Sequence, residues 1–342
     1  MTTKIFVPQP IPEPAAERLR ALGELTMFPH VDRRIPYEEL LEAVQDKHVL
    51  YALGEIPYDK AVIEAAGELK LVAAMHVSAK FVDIAAATRR GIPVSGIPNT
   101  GLAKTTAEFT LALLIATAWR LPEADRLLRE GRWQQNQSMA INGSRLYGKQ
   151  LGIVGMGSIG QLLARKAVGC GMSILYNKRN RLSPAEEMVL GGAEYRSLED
   201  LFRESDIVAL TPALTKGTKG LVGADLIALM KASAILINTS RGAVLDEVAL
   251  EEALRGGRIR GAGLDVYQTE VPEPAAGPSE GLKSLPNVVL TPHIGSAARE
   301  TRQEMALRTV DNIERFLAGQ RPMDVLNPEV YGEAARDDER IG

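Results

Sequence analysis

A chain of 342 residues is long for one hydrophobic core and fits two domains of ~100–200 residues each. Its content, 45% hydrophobic and 24% charged, is that of a globular protein, and a net charge of −3 gives no electrostatic reason to expect nucleic acid or an anionic membrane as partner. The single cysteine, Cys170, excludes an internal disulfide and fits a reducing, cytoplasmic setting. The first residues already have strand character, with no apolar secretory segment, and the longest apolar run, 109–119, is too short to cross a bilayer.

Short apolar strands alternate with amphipathic helices from the start. Strands are expected over 4–7, 24–28, 49–53, 69–75 and from 93, with helices over 14–22, 36–44, 57–66 and 84–90. That alternation predicts a parallel sheet with helices on its faces, a first α/β domain of roughly a hundred residues. Turn formers gather at Ile97-Pro98-Asn99-Thr100-Gly101, the expected crossover into a second domain. The span 103–121 reads as one helix, apolar almost all the way round, which places it in a core or against a second subunit. An irregular, glutamine-rich stretch, 134–137, separates it from the central domain. There strands are expected over 151–154, 174–176, 194–195, 207–210, 234–237, 262–266 and 288–290, with helices over 158–168, 185–190, 198–203, 224–230 and 247–255. A long helix pattern, 296–317, returns toward the first domain, and the tail 337–340 is expected to fray. The domains expected are therefore 1–100 plus 297–342, and 101–296.

The strand 151–154 runs straight into Gly155-Met-Gly-Ser-Ile-Gly160, and a helix pattern follows at once. This is the pattern of a dinucleotide cradle. Gly155 permits the tight turn, Gly157 has no Cβ to hold a pyrophosphate away, and Gly160 lets helix and strand pack closely, while the helix N-terminus offers N–H groups to an anion. Ser158 and Ile159 at the helix start, and Thr211 just past strand 207–210, are further cofactor candidates. In an open parallel sheet, ligands sit beyond the carboxyl ends of the strands. Three late strands each deliver a distinctive polar residue there: Arg241, Glu270 and His293. The trio suits reduction of a 2-oxo acid. Arg241 can grip a carboxylate and the adjacent oxo group, and His293 can exchange a proton with the carbonyl oxygen. Glu270, bonded to the imidazole, would fix its tautomer and favour its charged form. Taken singly, an arginine after a strand or a glutamate in a proline-rich loop is more often a solvated surface residue, and His293 is one of four histidines, the others, His30, His48 and His76, having no comparable setting; it is the arrival of all three at one sheet edge that points to chemistry. No metal is expected.

Together with the glycine turn, three segments carry a family likeness: Ile237-Asn-Thr-Ser-Arg-Gly-Ala-Val-Leu-Asp-Glu247, Gly263-Leu-Asp-Val-Tyr-Gln-Thr-Glu270 and Thr291-Pro-His-Ile-Gly-Ser296. The chain resembles the D-isomer-specific 2-hydroxyacid dehydrogenases from residue 5 to about residue 327. The resemblance implies an α/β fold of two Rossmann-like, doubly wound domains, a flavodoxin-like substrate domain and an NAD(P)-binding domain, with a cleft between them. It matches Arg241, Glu270 and His293 to the family's substrate-binding arginine, supporting glutamate and acid/base histidine. It matches Asp265 to the residue that holds the nicotinamide carboxamide, and Thr239 and Thr106 to cofactor contacts. Helix 103–121 would then belong to a homodimer interface. Relatives that regulate transcription as nucleotide-sensing corepressors retain the same three residues, so a sensor of this fold is the alternative to an enzyme.

An NAD-specific site places a carboxylate at the end of the second strand, ~20 residues past the glycine turn, to bind the ribose 2′-hydroxyl. Here the strand ends in Asn177, Lys178, Arg179, Asn180 and Arg181, with no carboxylate before Glu186. These cations suit a 2′-phosphate, so NADP(H) is the expected cofactor, with NAD(H) possible, as in the NADPH-dependent glyoxylate and hydroxypyruvate reductases. A solvated basic loop is the alternative. The family's substrate loop departs from pattern here, reading Met75-His-Val-Ser-Ala-Lys-Phe-Val-Asp83. By resemblance the amides around Val77 and Ser78 would bind the substrate carboxylate, and His76 and Lys80 could add contacts to a second anionic group. Phosphite dehydrogenases use an extra lysine in this loop, but Lys80 falls a few residues away, which makes phosphite or formate oxidation the less favoured chemistry.

Overall fold

The computed structural model describes residues 2–54, 56–98, 101–136, 141–270 and 276–332. Asn99, Thr100, Gln137 and the tail 337–340, named above, lie outside the described residues. The chain divides into two compact units. One comprises residues up to 101 together with the segment from 298 onward, and the other comprises 102–297.

The first unit alternates strands and helices: β1 (Lys4–Val7), α1 (Glu13–Leu22), β2 (Glu24–Met27), α2 (Tyr37–Ala43), β3 (Val49–Ala52), α3 (Lys60–Ala65), β4 (Leu71–Ala74), α4 (Ile84–Arg89) and β5 (Val94–Ser95). The second runs α5 (Leu102–Ala118), α6 (Leu121–Arg129), β6 (Gln150–Val154), α7 (Ser158–Gly169), β7 (Ser173–Asn177), α8 (Pro184–Val189), β8 (Glu194–Tyr195), α9 (Leu198–Glu204), β9 (Ile207–Leu210), α10 (Ala224–Leu229), β10 (Ile235–Asn238), α11 (Glu247–Arg255), β11 (Gly261–Leu264), α12 (Glu280–Ser284) and β12 (Val288–Leu290). The last long helix, α13 (Arg299–Leu317), belongs to the first unit.

Both sheets are parallel, ordered β2-β1-β3-β4-β5 and β12-β11-β10-β9-β6-β7-β8. These are the two doubly wound orders expected of the fold, each with a switch point where successive connections leave in opposite directions. Strands covered on both faces must be apolar throughout rather than alternating. β10 shows why: Ile235 and Ile237 join the cluster beneath α5 and α7, while Leu236 joins the cluster on the opposite face with Val208, Leu210 and Leu264. In the first unit Phe6, Leu50, Val72 and Ala74 form the equivalent core with Val62, Ile63 and Ala87. Side-chain caps define several helix starts, among them Asp59 on α3, Asp83 on α4 and Asp246 on α11.

The helix expected over 103–121 ends early, at Ala118, and a second helix that was not expected follows it. Pro122 cannot continue a helix, because its ring would clash with the carbonyl four residues back and it has no N–H to give. α5 therefore stops at Ala118, Arg120 turns left-handed at φ +54°, and α6 begins at Leu121. The Ala118 carbonyl left over is taken by the Ser144 amide at 2.8 Å. Short helices at Glu280–Ser284, Gly242–Val244 and Pro328–Tyr331 were also not anticipated. The helix expected from 296 begins at Arg299, because the preceding residues are held in a turn by Asp265.

Candidate active site

β6 ends at Val154, and Gly155 then takes φ +93°, closed to most residues with a Cβ. A Cβ at Gly155 would lie 2.6 Å from Pro212 Cα, and one at Gly160 would lie 2.5 Å from the Gly155 carbonyl. Those two glycines serve the fold. Around Gly157 nothing lies within 4 Å of a Cβ, so its bareness serves whatever approaches the turn. Gly157 is the N-cap of α7, and no side chain caps the helix's first N–H groups. Ser158 is exposed and Ile159 half-buried in the first turn of α7. Thr211 supports the turn from within, its hydroxyl donating to the Gly155 carbonyl at 2.8 Å. The turn and helix start can therefore receive a dinucleotide's pyrophosphate.

At the end of β7, the Asn177 side chain donates to the Arg196 carbonyl at 2.8 Å. Lys178 is half-buried and Arg179 exposed, and neither forms a salt bridge among the described residues. Arg181 is committed elsewhere: it holds Glu187 at 2.9 and 3.2 Å, and the Tyr176 hydroxyl donates to the same carboxylate at 2.7 Å.

The carboxyl ends of β10, β11 and β12 carry the polar cluster. Beyond β10 the buried Asn238 side chain ties the turn, accepting from the Ser240 amide and hydroxyl and donating to the Arg241 carbonyl. Thr239 and Thr110 share a hydroxyl–hydroxyl hydrogen bond of 2.7 Å, and Thr106, one turn earlier on α5, lies close to Gly295. Beyond β11, Asp265 is buried and accepts from the Thr291 hydroxyl at 2.7 Å and the amides of Ile294 and Gly295 at 2.8 Å. Burial pushes its carboxyl above the ordinary range even against those bonds. Asp265 thus holds the 291–295 turn, an attachment that the reading of it as a nicotinamide contact did not include.

That turn carries His293 at φ +52°, its amide donating to the Asp265 carbonyl at 2.9 Å. Its Nδ1 lies 2.9 Å from Glu270 Oε2. Burial would raise the Glu270 carboxyl, but the bond to His293, the imidazole's charge, the Tyr267 amide and the Arg241 guanidinium together hold it below its usual value. An ionised carboxylate only accepts, so Nδ1 bears a hydrogen and Nε2 is left to exchange a proton with a ligand. The Arg241 guanidinium, half-buried, donates to the Ser240 carbonyl at 2.8 Å. Arg241, Glu270 and His293 therefore gather at one edge of the second sheet. Sequence reasoning missed Glu247, which accepts from the Gln268 amide at 2.6 Å and so braces the turn bearing Glu270. It also missed Asn238, although an asparagine closing a strand two residues before a serine is a recognisable side-chain turn. Val77 and Ser78 belong to the first unit and are half-buried; the Ser78 amide is bonded to His76 Nδ1, and the Val77 amide has no partner among the described residues.

A seven-stranded parallel sheet with a glycine turn at its switch point and an ionisable His–Glu pair at its strand ends defines a nicotinamide-dinucleotide oxidoreductase. The comparisons with known proteins narrow this. Residues 111–295 match the family described as D-isomer specific 2-hydroxyacid dehydrogenase, NAD binding domain. A glyoxylate reductase of Thermococcus kodakarensis is 44% identical over 334 residues, 96% of this chain and 98% of that protein. A crystal structure of a Thermus thermophilus protein superposes with a TM-score of 0.83 at 39% identity, covering 95% of this chain and all of that one. An NADPH-dependent glyoxylate/hydroxypyruvate reductase of Sinorhizobium meliloti, solved with NADP and malonate, gives 0.73 at 30% identity over 95% and 97% of the two chains. The chain belongs to the D-isomer specific 2-hydroxyacid dehydrogenase family.

Proposed function

We propose that the protein is a reductase of short 2-oxo acids, glyoxylate or hydroxypyruvate first among them, that prefers NADPH and makes the D-2-hydroxy acid reversibly. The observation that carries this reading is the His293–Glu270 pair, 2.9 Å apart, with Arg241 close enough to bear on the carboxylate. The coenzyme, when bound, supplies the hydride. Arg241 receives the substrate's carboxylate and oxo group, two acceptors that its planar fork can engage together. His293 Nε2 gives its proton to the carbonyl oxygen as hydride reaches the carbon, leaving a neutral imidazole and a hydroxyl. Glu270, anionic throughout, favours the imidazolium before that transfer. The 2-hydroxy acid returns proton and hydride by the same route.

The coenzyme preference is supported by Lys178 and Arg179, free of salt bridges among the described residues at the strand end where an NAD-specific site carries a carboxylate. NADPH oxidation with glyoxylate, hydroxypyruvate and phenylpyruvate tests the reaction. kcat/KM is expected to favour NADPH over NADH at least ~tenfold, about 1.4 kcal/mol, and Lys178→Ala/Arg179→Ala is expected to erase most of that margin. A preference for NADH would overturn the coenzyme reading. Tight coenzyme binding without turnover of any 2-oxo acid would favour a coenzyme-sensing regulator instead. We also infer a homodimer, supported by the apolar side chains that α6 and its flanks leave exposed.

A further inference from the structure

His76 opens the loop that follows β4, and its carbonyl accepts from the Ile97 amide at 3.0 Å. Gly96 leaves room for this segment: a Cβ there would lie 2.8 Å from the His76 carbonyl and 3.2 Å from that of Val77. Both carbonyls thus face Gly96 and Ile97. In a trans peptide the N–H points opposite to the carbonyl, so the Val77 and Ser78 amides face the other way. Successive N–H groups turned to one side form a concavity suited to an anion.

The loop's own imidazole takes the Ser78 side of it and leaves the Val77 amide without a partner among the described residues. His76 Nδ1 accepts from the Ser78 amide at 3.1 Å and the Ala79 amide at 3.2 Å, with Ser78 Oγ 3.3 Å away. A ring nitrogen that accepts has its lone pair there, so the ring is neutral and its hydrogen is on Nε2. Phe81 braces the ring edge-on, with centroids 5.4 Å apart and planes at 83°. Ala79 is held at φ +47°, an unfavourable conformation for a residue with a Cβ, and its amide bond to the ring opposes that cost.

We propose that His76 is a positioning residue for an anionic substrate: its lone pair takes the Ser78 and Ala79 amides and so fixes the turn that presents the Val77 amide to a carboxylate. The proposal rests on the reading of this loop as the substrate-binding segment of a 2-oxo acid reductase. What it adds is a chemical requirement at position 76, an acceptor at the reach of Nδ1. Asparagine meets that requirement through Oδ1 and alanine does not.

The test compares the full-length enzyme with His76→Ala and His76→Asn, using NADPH and glyoxylate kinetics, coenzyme titration and ¹⁵N spectra of the ring and loop amides. The wild-type ring is expected to carry its proton on Nε2. His76→Ala is expected to raise KM for glyoxylate ~10-fold or more, as for a misplaced hydrogen bond to a charged group, with kcat within about threefold and coenzyme affinity unchanged. His76→Asn is expected to recover most of the loss, which a merely space-filling role would not allow. A ring proton on Nδ1, an unaltered KM in His76→Ala, or asparagine as poor as alanine would each overturn the proposal; if the alanine variant does not fold, the asparagine variant and the spectra decide. Titration with oxalate, followed at the Val77 amide, makes the test independent of turnover. A shift of that signal is expected, and its absence is a negative result for His76 even if the enzyme reduces glyoxylate. A wild-type protein that reduces no 2-oxo acid would instead sink the assigned reaction, with the oxalate shift still reporting on the loop.

Discussion

His293 combines a left-handed backbone, an amide bond to the Asp265 carbonyl and a side-chain bond to Glu270. Each constrains the ring, so the imidazole is aimed before a ligand arrives. His293→Ala is expected to lose ~10²–10⁴ in kcat, the usual worth of a positioned acid/base, with coenzyme affinity retained; stopped-flow NADPH oxidation measures it. Glu270→Gln is expected to lose less than that and to change the pH profile. The carboxyl of Glu270 is held below its ordinary value, so it is anionic in the neutral range and favours the charged imidazole. An unmoved profile would show that Glu270 acts by shape alone. The convergence of these three residues was legible because each lies in the loop that follows a strand at one edge of the second sheet. The clamp by Asp265 was not, because a carboxylate taking two amides thirty residues onward leaves no mark in local sequence.

The glycine turn separates two demands that look alike in sequence. Gly157→Ala should fold normally, since its Cβ meets nothing within 4 Å, yet weaken coenzyme binding about tenfold by holding the pyrophosphate off, ~1.4 kcal/mol. Gly155→Ala should instead cost stability, because it forces a Cβ into a left-handed turn and against Pro212; thermal unfolding with and without NADPH distinguishes the two. A second element-scale expectation concerns acid. Asp46 bonds Lys4 at the start of β1 and Lys47 just before β3, and these hold its carboxyl at about 2. A carboxyl depressed in the folded state contributes stability above its unfolded value, ~3.9, and loses it as pH falls toward 2. Exposure screens the pair, so the effect is small; the urea midpoint of Asp46→Asn should fall less between pH 6 and pH 2.5 than that of the wild type. Most strands and helices were readable because buried parallel strands are apolar runs and the helices between them are amphipathic. The break at Arg120 was not read, since the apolar pattern continues through it and only Pro122 signals the stop.

For the whole molecule, the apolar surplus lies elsewhere than the sequence suggested. α5 is mostly buried or half-buried within its own unit, against α7, β10 and β11, which accounts for its apolarity without a partner. No residue of α6 is buried, and Trp119, Leu121, Leu128 and Trp133 are each about half exposed or more. If this face joins two copies, Leu128→Glu/Trp133→Glu should sediment as a folded monomer, while the wild type sediments as a dimer; a monomeric wild type would remove the inference. The connectivity has a further consequence, for the order in which the protein is made. The second unit is one unbroken stretch, but the first needs α13, which packs on α1 and β4 and pairs Asp311 and Glu314 with Arg18. On the ribosome, the earliest strands to emerge must wait for the last long helix, while the coenzyme unit completes itself in between. A fragment ending near residue 297 should therefore already bind a nicotinamide coenzyme, with its oldest segment still open to protease.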